Sequence, residues 1–392
     1  MNESVYIING ARTPMGGLQG SLSSLSAVEL GSAAIAEAVN RSCIEKKDIQ
    51  EVIMGCVLPA GLRQGPARQA AMEAGIPVET GASTINKLCG SGMKATMLAF
   101  DSIKAGSNQI VIAGGMESMS NAPYLIPKAR IGLRMGHGEL QDTMFTDGLE
   151  DAKTGRLMGS FAQEIADEYQ LTRESMDEFA IGSLEKAKAA IENESLYPEI
   201  VSITVKTRKG EVVITDDEQP HNAKIEKIAS LRPAFKDGGT VTAANSSSIS
   251  DGASAMVLAS ETAVNSNSLN PMAKIWGHST NSLHPSKFTL APIGAIQKLF
   301  EITGWRKEEV DLFEINEAFA MVTMLATKEL GIDPKKVNIH GGACAQGHPI
   351  GSTGSRIIIS LMYALQKTGG KKGIASLCIG GGEATAMALE LL

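Results

Sequence analysis

An α/β fold of two similar halves, with a further segment inserted between them, is what three features of this 392-residue sequence predict. Short apolar runs alternate with helical patterns through the first part, which implies a parallel or mixed sheet covered by helices. The last part repeats the same order of elements. Residues from about Met119 to Ile249 fit neither series and stand as an insert.

Taken in order, Val5-Tyr6-Ile7-Ile8 reads as a first strand. Ser26-Ala27-Val28-Glu29 has the form of a capping box and opens a helix through about Arg41, with Leu30, Ala34, Ile35 and Ala38 inward. Val52-Ile53-Met54 predicts a buried strand, and Gly65-Pro66-Ala67 opens another helix with proline early in it. Ser91 to Ala105 is helical in pattern, and Ile110 to Ala113 is a strand closed by Gly114-Gly115. In the insert, Gly132, Gly136, Gly138 and several methionines predict irregular structure. A long helix from about Arg173 to Asn193 follows, then a hairpin of Ile200 to Lys206 and Glu211 to Thr215 turned at Lys209-Gly210. An insert of this size brings a binding or assembly role.

The last part starts its repeat with Val310-Asp311-Leu312-Phe313, a strand after an acidic turn like Ile49 to Ile53. A glycine-rich turn before a helix comes next, with His348 where the first half has Cys89. Ile374 to Cys378 then ends at glycines, as Ile110 to Gly115 does. Two such halves, packed back to back, would set both glycine-rich turns beside one cleft.

The composition bounds the function. Hydrophobic residues make up 43% and charged residues 20%, a globular balance. A formal net charge of -7 argues against broad nucleic-acid binding, so an anionic ligand needs a local basic patch. Five cysteines form no disulfide framework, and the odd number leaves a free thiol. The strand-like start without a basic leader or apolar signal core, and the lack of a long apolar run, point to a soluble cytoplasmic protein with no membrane partner.

The chemistry-bearing residues lie on glycine-rich stretches where backbone can approach a ligand. Cys89, in Asn86-Lys87-Leu88-Cys89-Gly90-Ser91-Gly92, heads a helix whose free N–H groups and partial positive charge favour thiolate over thiol. A buried cysteine at a tight turn is the bland alternative. His348, between Gly347 and Pro349, is either a loop residue or a group that takes the thiol proton and then donates to an oxyanion. Cys378 is either structural or a general acid/base of thiol pKa, suited to removing a weakly acidic proton beside a thioester carbonyl. The Gly380 N–H can face a second oxyanion. Asn316 reads equally as a helix N-cap and as the holder of a catalytic water. Cys43, Cys56 and Cys344 read as inert. No pair has zinc-ligand spacing, and the glycines at 380 to 382 lack the lysine of a phosphate loop.

Together these residues resemble the thiolase family, and the resemblance runs through nearly the whole chain. It is carried by Arg12-Thr13-Pro14, Asn86 to Ala95, Gly114 to Met119, Leu231-Arg232-Pro233-Ala234-Phe235, Asn316 to Ala320, Gly347 to Gly351 and Cys378 to Gly382, in that order. The resemblance implies a five-layered αβαβα fold with an inserted loop domain. Its segments are residues 1–118 plus 250–268, the loop domain 119–249, and the second half 269–392. It implies that Cys89 takes the acyl group and that Cys378 moves the methyl proton of acetyl-CoA. His348 and a water on Asn316 would hold the thioester oxygen, and the N–H groups of Cys89 and Gly380 the other oxyanion. Coenzyme A, as substrate and product rather than cofactor, would lie across the loop domain near Met158, Leu231, Phe235, Ala243, Ser247 and Phe319. The family implies a dimer of dimers, joined through the segment Ile126 to Met135.

The expected reaction is condensation of two acetyl-CoA to acetoacetyl-CoA plus CoA. The alternatives are a degradative 3-ketoacyl-CoA thiolase, a decarboxylating ketoacyl synthase and a non-catalytic acyl-CoA carrier. The chain departs from the family pattern in several places. Leu157 stands where relatives often carry histidine, and no arginine is near His221, where Lys224 and Lys227 are the substitutes. Gln346, Ala384 and Phe288 are further differences, the last beside the acyl pocket.

Overall fold

The computed structural model describes residues 3–392. The first half runs β1 (Val5–Arg12), α1 (Ala27–Ser42), β2 (Glu51–Gly55), α2 (Pro66–Glu73), β3 (Gly81–Ile85), α3 (Ser91–Lys104) and β4 (Ile110–Ser118). The insert contributes α4 (Met158–Glu168), α5 (Arg173–Glu192) and the hairpin β5 (Ile203–Thr207) and β6 (Gly210–Ile214). The chain then returns to the first half with β7 (Ser250–Ser260). The second half follows as β8 (Ala273–Ser282), α6 (Ala291–Thr303), β9 (Leu312–Ile315), α7 (Ala320–Leu330), α8 (Thr353–Thr368), β10 (Lys372–Ile379) and β11 (Glu383–Leu391).

The strands form one continuous sheet in the order β9-β10-β11-β8-β1-β7-β4-β2-β3, with the short Gly16–Gly17 strand on β7. Its two wings repeat. β2 is parallel to β4, β4 antiparallel to β7, and β7 antiparallel to β1. In the same way β9 is parallel to β10, β10 antiparallel to β11, and β11 antiparallel to β8. β3 lies parallel to β2, and its counterpart is a single parallel bridge between Phe313 and Val337. A short antiparallel pairing of β1 with β8, from Val5–Ile275 to Ile7–Ala273, joins the wings.

Side chains on a strand alternate between faces, so each wing buries two cores. In β4, Ile110 and Ile112 pack outward with α1 and α2, while Val111 and Ala113 face α3 and α8. In β10 and β11, Ile374, Ala384 and Ala386 pack outward with α6, while Leu377 and Met387 face the same central helices. The result is five layers, helix, sheet, helix, sheet, helix. Their middle layer is α3 against α8, one helix from each half.

Local chemistry accounts for the helix boundaries. The Glu29 N–H donates to Ser26 Oγ at 3.2 Å and the Ser26 N–H to Glu29 Oε2 at 2.8 Å, a reciprocal capping box. Three sequence expectations are corrected. Gly114-Gly115 does not close a strand. β4 runs through it to Ser118, because a Cβ on Gly114 would meet Ser254 O at 2.1 Å and one on Gly115 would meet Gly351 O at 2.0 Å. The hairpin starts at Ile203 and turns at Arg208-Lys209, with Gly210 pairing Thr207 as the first strand residue of the return. Asn316 caps no helix: α7 begins at Ala320 with Phe319 in the cap position. Among the described residues no helix is long and apolar enough to cross a membrane.

Candidate active site

Cys89 lies in the tight connection between β3 and α3. Leu88 before it holds φ +49°, a left-handed conformation unusual for a branched side chain. Side-chain hydrogen bonds hold it there. The Leu88 N–H donates to Asn86 Oδ1 at 2.9 Å, the Lys87 N–H to Ser91 Oγ at 2.9 Å, and Ser91 Oγ to Leu88 O at 2.6 Å. A Cβ on Gly90 would lie 2.4 Å from Ile379 Cδ1, so this glycine lets the turn press against the end of β10. That end carries Cys378 and then Gly380, which line one cavity with Cys89. Lys87 Nζ pairs with Glu383 at 2.6 Å, tying the same turn to the start of β11.

His348 arrives from the opposite half, on the turn into α8. Its N–H donates to Ser248 O at 3.3 Å and to Ser250 Oγ at 3.1 Å. Gly347, with φ +113°, has Ser250 Oγ where a Cβ would stand, 2.4 Å away. Ser248 at the end of the insert and Ser250 at the start of β7 thus seat the histidine loop. His348 Nδ1 contacts Thr353 Oγ1 at 2.7 Å, and that hydroxyl donates to Pro349 O at 3.0 Å. A hydroxyl has one proton, so Thr353 accepts from Nδ1–H and Nε2 of the neutral ring carries the lone pair. Nε2 is buried and without a protein partner.

Electrostatics hold every reacting group neutral at rest. Burial pushes the Cys89 thiol up to about 11, against the pull of the Gly380 and Cys89 N–H groups, and nearby Glu117 adds to the rise. Burial and the neighbouring Cys89 raise Cys378 well above the ordinary thiol value. Burial, then the Arg356 guanidinium, drive His348 down to about 3. The sequence reading expected the helix N-terminus to favour the Cys89 thiolate. Here desolvation outweighs the backbone dipoles, and a thiolate forms only as its proton is taken.

One apolar cavity of about 430 Å³ gathers Cys89, His348, Cys378, Gly380, Met158, Phe235, Ala243, Ser247 and Phe319. The Ser247 N–H donates to Ala318 O at 3.0 Å, which brings insert and second half to this wall together. Leu231, Lys224 and Lys227 do not line it; they line an adjoining groove of about 320 Å³ that shares Ala243. Asn316 is not among the residues that line the cavity; it is buried, with Nδ2 unpartnered. Leu157 and Phe288 are on the cavity wall, whereas His221 lies in a separate groove with Lys188 and Glu192. Gln346 donates to His340 O, and Ala384 pairs with Cys378 across the β10–β11 ladder. A cavity of about 460 Å³ between α5 and α7 is lined by neither reacting thiol nor His348. Among the described residues no His, Cys, Asp or Glu cluster is suited to a metal ion.

Glu117, which follows Gly114-Gly115-Met116, carries no local signal of a role. Its carboxylate accepts from the N–H groups of Val57 and Leu58 at 3.0 and 3.1 Å and lies where a Cβ on Gly351 would stand, 2.5 Å away. It therefore clamps the end of β2, the end of β4 and the histidine loop. Burial raises it to about 7. Arg356 and Thr353 on α8 were missed as well, since only the fold brings them to the site.

A thiol that can be acylated, a second thiol and a neutral imidazole around one apolar cavity define an enzyme of acyl transfer, on a duplicated five-layer scaffold. Residues 5–262 match the thiolase N-terminal domain and residues 269–391 the thiolase C-terminal domain, so the chain belongs to the thiolase family and is an acyltransferase. It is 46% identical to an acetyl-CoA acetyltransferase of Schizosaccharomyces pombe, over 100% of this chain and 99% of that one. It is 45% identical to the acetyl-CoA acetyltransferase of Escherichia coli over 100% of both. The crystal structure of the Bacillus anthracis acetyl-CoA acetyltransferase superposes with TM-score 0.97 at 41% identity, covering 100% of each chain. An Ascaris suum thiolase in complex with coenzyme A superposes with TM-score 0.95 at 41% identity, over 99% of this chain and 100% of that one.

Proposed function

We propose that this thiolase is an acetyl-CoA C-acetyltransferase, condensing two acetyl-CoA to acetoacetyl-CoA and free CoA, reversibly, through an acyl-Cys89 intermediate. The observation that carries the reading is the convergence of Cys89, Cys378, His348 and the Gly380 N–H on one apolar cavity. In the first half-reaction His348 Nε2 takes the Cys89 proton as sulfur attacks the thioester carbonyl. The Cys89 and Gly380 N–H groups hold the resulting oxyanion, and the proton leaves with CoA. In the second, His348 Nε2 takes the Cys378 proton, and the Cys378 thiolate then removes a methyl proton from the next acetyl-CoA. The enolate oxygen is held by the His348 Nε2–H so formed and by a water on Asn316 Nδ2; its carbon attacks the acyl group, and the released Cys89 thiolate takes the proton back from Nε2.

Several features support the finer points. Phe319 meets both Phe288 and Phe235 edge to face at 6.1 Å, which narrows the acyl end and suits a short chain. Lys224 and Lys227 beside the adjoining groove suit the phosphates of coenzyme A, with Leu231, Phe235, Ala243, Ser247, Phe319 and Met158 along its path. Ile131 and Met135, 82% and 96% exposed, form with Ile126 and Leu133 an apolar loop that suits assembly as a dimer of dimers. The reaction needs no further cofactor, and a cytoplasmic site fits its free thiols.

Labelled acetyl-CoA tests the reading: the label is expected on a peptide containing Cys89, and label elsewhere overturns it. A kcat/KM series over 3-ketoacyl-CoAs is expected to favour acetoacetyl-CoA. A preference for long chains would assign the degradative reaction instead.

A further inference from the structure

Arg356 is a cation in the middle of the central helical layer, 2% exposed, and forms no ion pair among the described residues. Its Nε has no partner, and Nη2 approaches Asn316 Oδ1 at 3.5 Å, the long end of the hydrogen-bond range. Isolated buried charges are costly, so one retained without a paired carboxylate calls for a reason. Glu314 of β9 is the largest opposing charge that Arg356 feels, yet burial raises that carboxyl and the two form no ion pair.

The placement suggests the reason. Leu312 of β9 faces the central layer, and strand alternation turns Glu314 and the following Asn316 the same way, toward α8. On α8, Thr353 and Arg356 are three residues apart and share a helix face. Thr353 orients the His348 ring, and Arg356 contacts the Asn316 amide. A guanidinium only donates, so the amide must present its oxygen to it and turn Nδ2 away. His348 Nε2 and Asn316 Nδ2, each without a protein partner, are the two atoms that the proposed reaction uses to hold the enolate oxygen, the second through a water.

We infer that Arg356 is a positioning residue for the carbon–carbon bond-forming step, fixing the Asn316 amide with Nδ2 toward the enolate oxygen while Thr353, one turn earlier, fixes His348. One rigid helix face thereby sets both donors. The inference rests on the proposed condensation, and it needs no contact between Arg356 and substrate.

A double-mutant cycle tests it, reading acetyl-CoA condensation and labelled-acetyl incorporation at Cys89 in wild type, R356M, R356K, N316A and R356M/N316A. Failure of wild type to condense acetyl-CoA would remove the underlying reading, before any variant is compared. Otherwise N316A and R356M are each expected to lower condensation kcat by about 10²-fold, with KM and acylation near wild type. R356K recovers part of the loss, and the double variant is no worse than either single. Losses that multiply in the double variant, an N316A enzyme with full kcat, or acylation falling as much as condensation would each overturn the inference. Should R356M fail to fold, the cycle is read with R356K. Its kcat loss is expected to vanish in the N316A background, and persistence of the full loss there overturns the inference.

Discussion

The two halves share a frame and part company at equivalent ends of it. Each sends a tight turn into a central helix: the first half carries Cys89 into α3, the second carries His348 into α8. Each also ends a central strand in the site, where the first half has the clamping carboxylate Glu117 and the second has Cys378 before Gly380. The supports differ too. The Cys89 turn is held by its own side chains, Asn86 and Ser91, whereas the His348 turn leans on Ser248 and Ser250 from outside its half. Duplication thus supplies two copies of one scaffold, and divergence at the turn and strand end turns them into complementary parts of one site.

The largest expected effect breaks the first half's turn chemically. Cys89→Ala removes the acyl acceptor and is expected to lower kcat by roughly 10⁴-fold or more, with no labelled acyl-enzyme in a quench experiment. The second half's strand end gives the contrast. Cys378→Ser keeps acyl-enzyme formation and is expected to lose condensation by about 10³-fold; equal loss of both steps would contradict the role given to that thiol.

The first half's strand end is expected to act on stability. Glu117 is raised from 4.5 to about 7 in the fold, so the folded state binds a proton that the unfolded state has released between those values. Stability therefore falls as pH rises from about 4.5 to 7 and is level above, by about 3 kcal/mol for this group alone. Glu117→Gln loses one acceptor but removes that dependence, so its deficit against wild type should shrink from pH 5 to pH 7 in denaturant titrations. The smallest effect concerns the outer helices. α1 is capped by Ser26, while α6 has Leu290 in the cap position with no side-chain cap, and proline in its first turn. Ser26→Ala is expected to cost about 1 kcal/mol in urea midpoint measurements, and Leu290→Ala no capping energy.

Much of this was legible because it is local. The Ser26 box, the start of the long helix at Arg173 and the proline opening α2 depend on neighbours within a turn, and they read correctly from residue type. The errors share the opposite cause. Gly114-Gly115 looked like a strand end, but those glycines exist because Ser254 and Gly351 press on them from afar. Asn316 looked like a possible cap, but its amide is engaged by a helix 40 residues later. Lys224, Lys227 and Leu231 line a groove that adjoins the cavity and shares Ala243 with it, a juxtaposition that no local pattern gives.

The amino-acid order by itself determined the alternation of strands and helices, their repetition, and which residues carry thiol and imidazole, since these follow from periodicity and side-chain chemistry. Only the tertiary structure decided that Cys89, His348 and Cys378 share a cavity. It also decided that both thiols stay protonated at rest and that Arg356 stands beside Asn316. Proximity and desolvation belong to segments hundreds of residues apart, and no local pattern encodes either.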